Sequence, residues 1–165
     1  RRVLFRSQAW RALEAAYRAG KLRAIGVSNF RADDIDSLLA DCTVEPMVNQ
    51  ILAHISNTPL ALIEHSRAHG MLVEAYSPFG HGELFKNQQV AEIAGRYGVS
   101  VARLAIRYTL QLGLLPLPKT ANPEHMRANA DVDFEIADDD MELLVHITPI
   151  EHYGDASVFP VYSAT

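Results

Sequence analysis

The sequence predicts an α/β chain built on a parallel sheet. Strand-like and helix-like segments alternate four times along its 165 residues. Alternation at that spacing marks βαβ units. No GxGxxG follows any strand-like segment, so nothing supports a Rossmann dinucleotide site.

The elements follow in order. A first helix is expected over 9–19, where Trp10, Leu13, Ala16 and Tyr17 recur at helical spacing. Gly20 stands where a left-handed C-cap is wanted. Ile25 and Val27 place a strand over 23–28. Asp33 and Asp34 open the next helix, where acids suit the positive end of the dipole, and Ile35, Leu38 and Leu39 form its apolar stripe. Pro46 introduces a second strand, EPMVNQI, expected to end in Asn49-Gln50. Asn57 to Pro59 start a helix that runs through Leu60, Ile63 and Ala68 to Gly70. MLVEAYSPF is the third strand, reaching Tyr76, and GHGELF is a turn-rich loop. Helices are expected over 87–97 and 100–112, each followed by a glycine, Gly98 and Gly113. Ile93, Leu104, Ile106 and Leu110 are their packing residues. LLPLPKT is the fourth strand, broken by Pro116 and Pro118. A short helix over 123–129 and a last one over 138–146 complete the pattern. The tail, 148–165, has no helical pattern; its Tyr153, Phe159 and Tyr162 either line a substrate mouth or form a loose terminus.

Composition narrows the function. Hydrophobic residues at 48% and charged residues at 21% describe an ordinary soluble domain. A net charge of −5, with Lys and Arg scattered, argues against a nucleic-acid surface. No apolar run approaches the length of a membrane span. The single cysteine, Cys42, excludes an internal disulfide, offers no metal cluster and fits a reducing cytoplasm. It lies near a helix end among ordinary residues, so a nucleophilic role is not favoured. Residues 1–7 are too short in apolar stretch for a signal peptide. A coding sequence for RVLFRS matches the end of a common sequencing adapter, so 1–7 is expected to be a non-native scar, with native sequence from Gln8.

The strand tops are polar. They carry Ser28-Asn29, Asn49-Gln50, Tyr76-Ser77 and Lys119-Thr120. Helix capping accounts for Ser28 and Asn29 but poorly for Gln50 and Lys119. An open sheet and part of a barrel both remain. A (β/α)8 TIM barrel needs eight such units in about 250 residues and places its active site at that face. The four units here would make half of one.

KLRAIGVSNF, VNQI, EAYSPFGHG and LPKTANPEHMRAN, in this order, resemble the second half of an aldo-keto reductase. The resemblance covers nearly everything from Trp10 to His146. It implies the C-terminal half of a (β/α)8 barrel over 8–147, with four parallel strands, outer helices and a tail over 148–165. It also implies NADPH as cofactor, with NADH possible, and a small aldehyde or ketone as substrate. Ser28, Asn29 and Gln50 match the groups that bond the nicotinamide carboxamide, and Tyr76 the aromatic that stacks beneath the ring. Ser77, Phe79 and the loop to Leu84 match the segment covering the pyrophosphate. Lys119 and Thr120 match the pair that grips the adenosine 2′-phosphate, and Asn129 an adenine contact.

His125 stands where many members carry an Arg over the adenine and 2′-phosphate, and a neutral imidazole grips phosphate less well. Arg127, two residues on, faces elsewhere, because i and i+2 do not share a helix face. Where many members read Ile-Glu-Tyr-His, this chain reads Ile51-Leu52-Ala53-His54. The family's catalytic Asp, Tyr, Lys and His belong to the first half-barrel, which is missing here. The resemblance therefore assigns no catalytic residue to this chain and expects it to be inactive alone. Two alternatives stand beside this reading: an NADPH-binding regulatory module, and another TIM-barrel enzyme with a phosphate site at Lys119. The Ser-Asn and Asn-Gln strand ends argue against the second.

Two clusters have simpler readings. His65 and His69 are four apart, but no Glu lies between them and no third ligand is evident, so a solvated helix face is favoured over a metal site. Asp138 to Asp140 read as an acidic helix start, with Glu142 completing a capping box.

Overall fold

The computed structural model describes residues 2–158. Phe159 and Tyr162 lie outside the described residues. The elements are α1 (Arg2–Arg18), β1 (Gly26–Ser28), α2 (Ala32–Asp41), β2 (Val48–Leu52), α3 (Leu60–Ala68) and β3 (Leu72–Tyr76). A 3-10 segment (Gly80–Lys86) follows, then α4 (Gln88–Arg96), α5 (Val101–Gln111), β4 (Leu115–Leu117), α6 (Pro123–Ala130), α7 (Asp138–Val145) and a second 3-10 turn (Gly154–Val158). The strands form one four-stranded sheet in the order β1-β2-β3-β4, with parallel pairing. The alternation read in the sequence thus yields an α/β fold. Among the described residues no helix is long and apolar enough to cross a membrane.

The chain divides into two compact units, Arg1–Ile51 with Leu60–Val73, and Leu52–Pro59 with Glu74–Thr165. In the first, α1 extends further toward the N-terminus than the predicted 9–19. Trp10, Ile25 and Leu38 make its small core. The Trp10 indole N–H donates to Val44 O at 3.0 Å. Glu14 is buried, and its Oε1 accepts from Thr43 N (2.6 Å), Thr43 Oγ1 (3.0 Å) and Val44 N (2.8 Å). Those bonds stabilise the charged form and hold the carboxyl below its ordinary pKa. β1 and β2 approach so closely at Gly26 that a Cβ there would lie 2.7 Å from Val48 O. Only glycine fits that pairing.

In the second unit, α4 and α5 pack their apolar stripes into the main core, around Leu84, Ile93, Leu104, Tyr108 and Leu144. Asn87 and Ser100 cap the two helices, accepting from Val90 N and Arg103 N. Gly98 and Gly113 end them at φ of 63° and 71°, a conformation that costs glycine little. The expected capping box at Asp138 does not form: the N-cap is Ala137, without a side-chain bond. Asp140 turns to α4 instead. It pairs with Arg96 and accepts from Tyr97 Oη at 2.6 Å.

Burial alternates along the central strands. Asn49 and Ile51 of β2 are buried, as are Val73 and Ala75 of β3, while Val48, Gln50, Leu52, Glu74 and Tyr76 are less covered. In β4, Leu115 and Leu117 are exposed. Parallel sheets ordinarily bury both faces. Here one face of the strands is closed and the other is partly open.

Candidate functional site

Parallel pairing brings three of the expected residues together in the first unit. Ser28, the last residue of β1, is in register with Gln50. Asn29 N–H donates to Gln50 O at 2.9 Å, and Asn29 Nδ2 donates to Ser28 Oγ at 3.2 Å. Asn29 takes a left-handed φ of 55°, which a non-glycine residue adopts at some cost. A hydroxyl and two carboxamides thus gather at neighbouring strands. Gln50 is not terminal as expected, because β2 continues to Leu52.

Asn49 supports this group from the covered face. It is fully buried, and its Nδ2 donates to Phe30 O (3.1 Å) and Ser66 Oγ (3.3 Å). The bond to Phe30 fixes the backbone just after Asn29. In sequence Asn49 is a polar residue on the apolar period of a strand, the signal of its buried role.

The second unit places the other candidates. Tyr76 ends β3, half-buried and in register with Leu117 of β4. Ser77 follows at a left-handed φ of 51°, repeating the geometry of Asn29 after β1. Its carbonyl accepts from Gly80 N at 2.8 Å, and its Oγ lies 3.2 Å from His81 Nε2. Phe79 is half-buried, with its ring 5.5 Å from that of Phe85. The Leu84 side chain is fully buried in the core. It anchors the segment rather than lining it.

Lys119 and Thr120 lie just beyond the end of β4, Lys119 exposed and Thr120 half-buried. Thr120 Oγ1 accepts from Asn122 N at 3.1 Å, and Asn122 caps α6 through Glu124 N. The loop therefore presents an ammonium and a hydroxyl beside a positive helix end. His125 is exposed and Asn129 half-buried, four apart on α6 and so on one face.

The tail takes part as well. Tyr153 is buried, with its Oη 3.1 Å from His54 Nε2. The His54 ring is buried too, and its Nδ1 contacts Ile55 O. Burial depresses the imidazole pKa against the opposing backbone bond. His81 stands edge-on to Tyr153 at 6.5 Å, so the tail is tied to the turn that follows β3. Tyr153 is thus packed rather than exposed.

The chain is similar to known proteins over most of its length. The sequence profile of the Aldo/keto reductase family matches residues 6–148. Glyoxal reductase of Bacillus subtilis is 38% identical over 146 residues, 88% of this chain and 53% of that protein. The aldose reductase of Schistosoma japonicum superposes with a TM-score of 0.85 at 28% identity, covering 96% of this chain and 52% of its own. An aldo-keto reductase of Bombyx mori, solved in complex with NADP, superposes with a TM-score of 0.80 at 29% identity, covering 94% of this chain and 55% of its own. The chain thus spans about half the length of the relatives it matches. With that extent of match on both sequence and fold, the chain belongs to the aldo/keto reductase family.

Proposed function

We propose that this chain is the cofactor-holding half of an NADPH-dependent oxidoreductase that reduces aldehydes or ketones to alcohols. The observation that carries the reading is the meeting of Ser28, Asn29 and Gln50 across β1 and β2. A primary carboxamide is donor and acceptor at once, and two amides with a hydroxyl complement both ends of it. That donor set fits the nicotinamide headgroup. The cofactor's own chemistry is hydride delivery to a carbonyl carbon.

The residues here bind and orient. Ser28, Asn29 and Gln50 fix the rotation of the nicotinamide, so that one ring face is offered to the substrate. Tyr76 supplies a flat, half-buried ring to stack beneath it. Phe79 and the backbone of the turn from Ser77 to Leu84 cover the pyrophosphate. Lys119 and Thr120 hold the 2′-phosphate, with a charge-assisted bond contributing about 1.5–3 kcal/mol. His125 and Asn129 face the adenosine end. NADH lacks the 2′-phosphate and loses only the Lys119 and Thr120 contacts, so it binds more weakly by the same mode.

No residue of this chain is assigned as catalytic. The proton donor belongs to the complementary half-barrel, and that half covers the open sheet face. The 165-residue chain alone is inactive. The similarity to a protein named glyoxal reductase supports a small carbonyl as substrate. Gln50→Ala in the intact reductase tests the assignment. Losing one or two hydrogen bonds of about 1 kcal/mol each raises the dissociation constants of NADPH and NADH alike, by about 5- to 30-fold. Unaltered affinity for either cofactor removes Gln50 from the carboxamide site.

A further inference from the structure

The outer helices of the first unit hold a second cluster. His65 of α3 and His69, just past its end, project from one helix face. Asp36, in the middle of α2, meets them there. Its Oδ1 lies 2.8 Å from His65 Nε2 and 3.8 Å from His69 Nε2. The three ligand atoms lie within 4.8 Å of one another, and the imidazole rings stand edge-to-face with centroids 4.8 Å apart. The third ligand that the sequence lacked is therefore supplied by the neighbouring helix, 29 residues upstream of His65.

We propose that Asp36, His65 and His69 bind Zn²⁺ with an open fourth position. Two imidazoles and one carboxylate are ligands of the type and number that zinc takes in three-ligand sites. Bonds of about 2.0–2.2 Å in a tetrahedron set ligand atoms about 3.3 Å apart. Reaching that spacing requires the Asp36–His65 contact to open slightly, the Asp36–His69 contact to close by a similar amount, and the two imidazole nitrogens, within 4.8 Å of each other, to draw together. Side-chain rotation accomplishes this without moving the helices, because Asp36 is 57% exposed and the imidazoles are 27% and 37% exposed. The metal joins α2 to α3, and it stabilises the folded state by mass action.

The test is a Zn²⁺ titration of the whole chain against a chromogenic chelator, with the Co²⁺ visible spectrum as a second readout. We expect one Zn²⁺ per chain and the intense visible absorption of tetrahedral Co²⁺. Loss of an outer partner alone costs metal sites about 10- to 100-fold in affinity, so H65Q, H69Q and D36N should each weaken binding at least about tenfold. His152→Gln should leave it unchanged. Failure to bind stoichiometrically overturns the proposal, and so does binding that survives the H65Q/H69Q double variant. Because all three side chains are at the surface, circular dichroism of the variants should match the parent protein.

Discussion

Glu14→Gln isolates the contact that ties α1 to the loop before β2. One oxygen, Oε1, accepts all three bonds from Thr43 and Val44. Glutamine keeps a carbonyl in that place, so each bond survives in neutral form. A charged hydrogen bond contributes about 1.5–3 kcal/mol and a neutral one about 0.5–1.5 kcal/mol. The difference is about 1 kcal/mol per bond, and the three share one oxygen. The substitution should therefore cost about 1–3 kcal/mol at pH 7. Glu14→Ala leaves the two N–H groups without their acceptor and costs more. Urea unfolding of the chain measures both, and the midpoint should fall with an unchanged slope. The pH dependence gives an independent check. The folded-state pKa of Glu14 is lowered from 4.5, so its stabilisation is present above that value and is lost as pH falls through the folded value. The gap between the parent protein and Glu14→Gln should close over that acid window. Equal stability at pH 7, or a gap that persists in acid, refutes the reasoning.

Two further outcomes follow from the same structure. Burial lowers the pKa of His54 from 6.5, so its contribution is present above that pH and is lost as pH falls through the folded value. His54→Gln should flatten the fall in stability as pH drops below 6.5, and an unchanged slope there would exclude His54 as the titrating group. The purified, folded chain should show no carbonyl-dependent NADPH oxidation, and measurable turnover would place a proton donor within these residues.

Much of the fold was legible because its signals are local. Gly98 and Gly113, with Asn87 and Ser100, bracket α4 and α5 in sequence as they do in space. The polar strand tops could be read for the same reason. What escaped the sequence depends on distant partners. Asp140 is held by Arg96 and Tyr97, 44 and 43 residues away in sequence. His65 and His69 gain Asp36 only when α2 and α3 lie side by side. Tyr153 is buried through a bond to His54, 99 residues away in sequence. Leu84 ends the segment that resembles a covering loop, and its side chain packs in the core through partners distant in sequence.

In the proposed site this chain holds NADPH and Lys119 reads its 2′-phosphate. The most direct measurement is titration of NADPH and NADH into the intact reductase and its Lys119→Ala variant. A charge-assisted bond of about 1.5–3 kcal/mol corresponds to about a 10- to 150-fold loss. That loss is expected for NADPH, with less than about a twofold change for NADH. An equal loss for both cofactors, or none for NADPH, contradicts it.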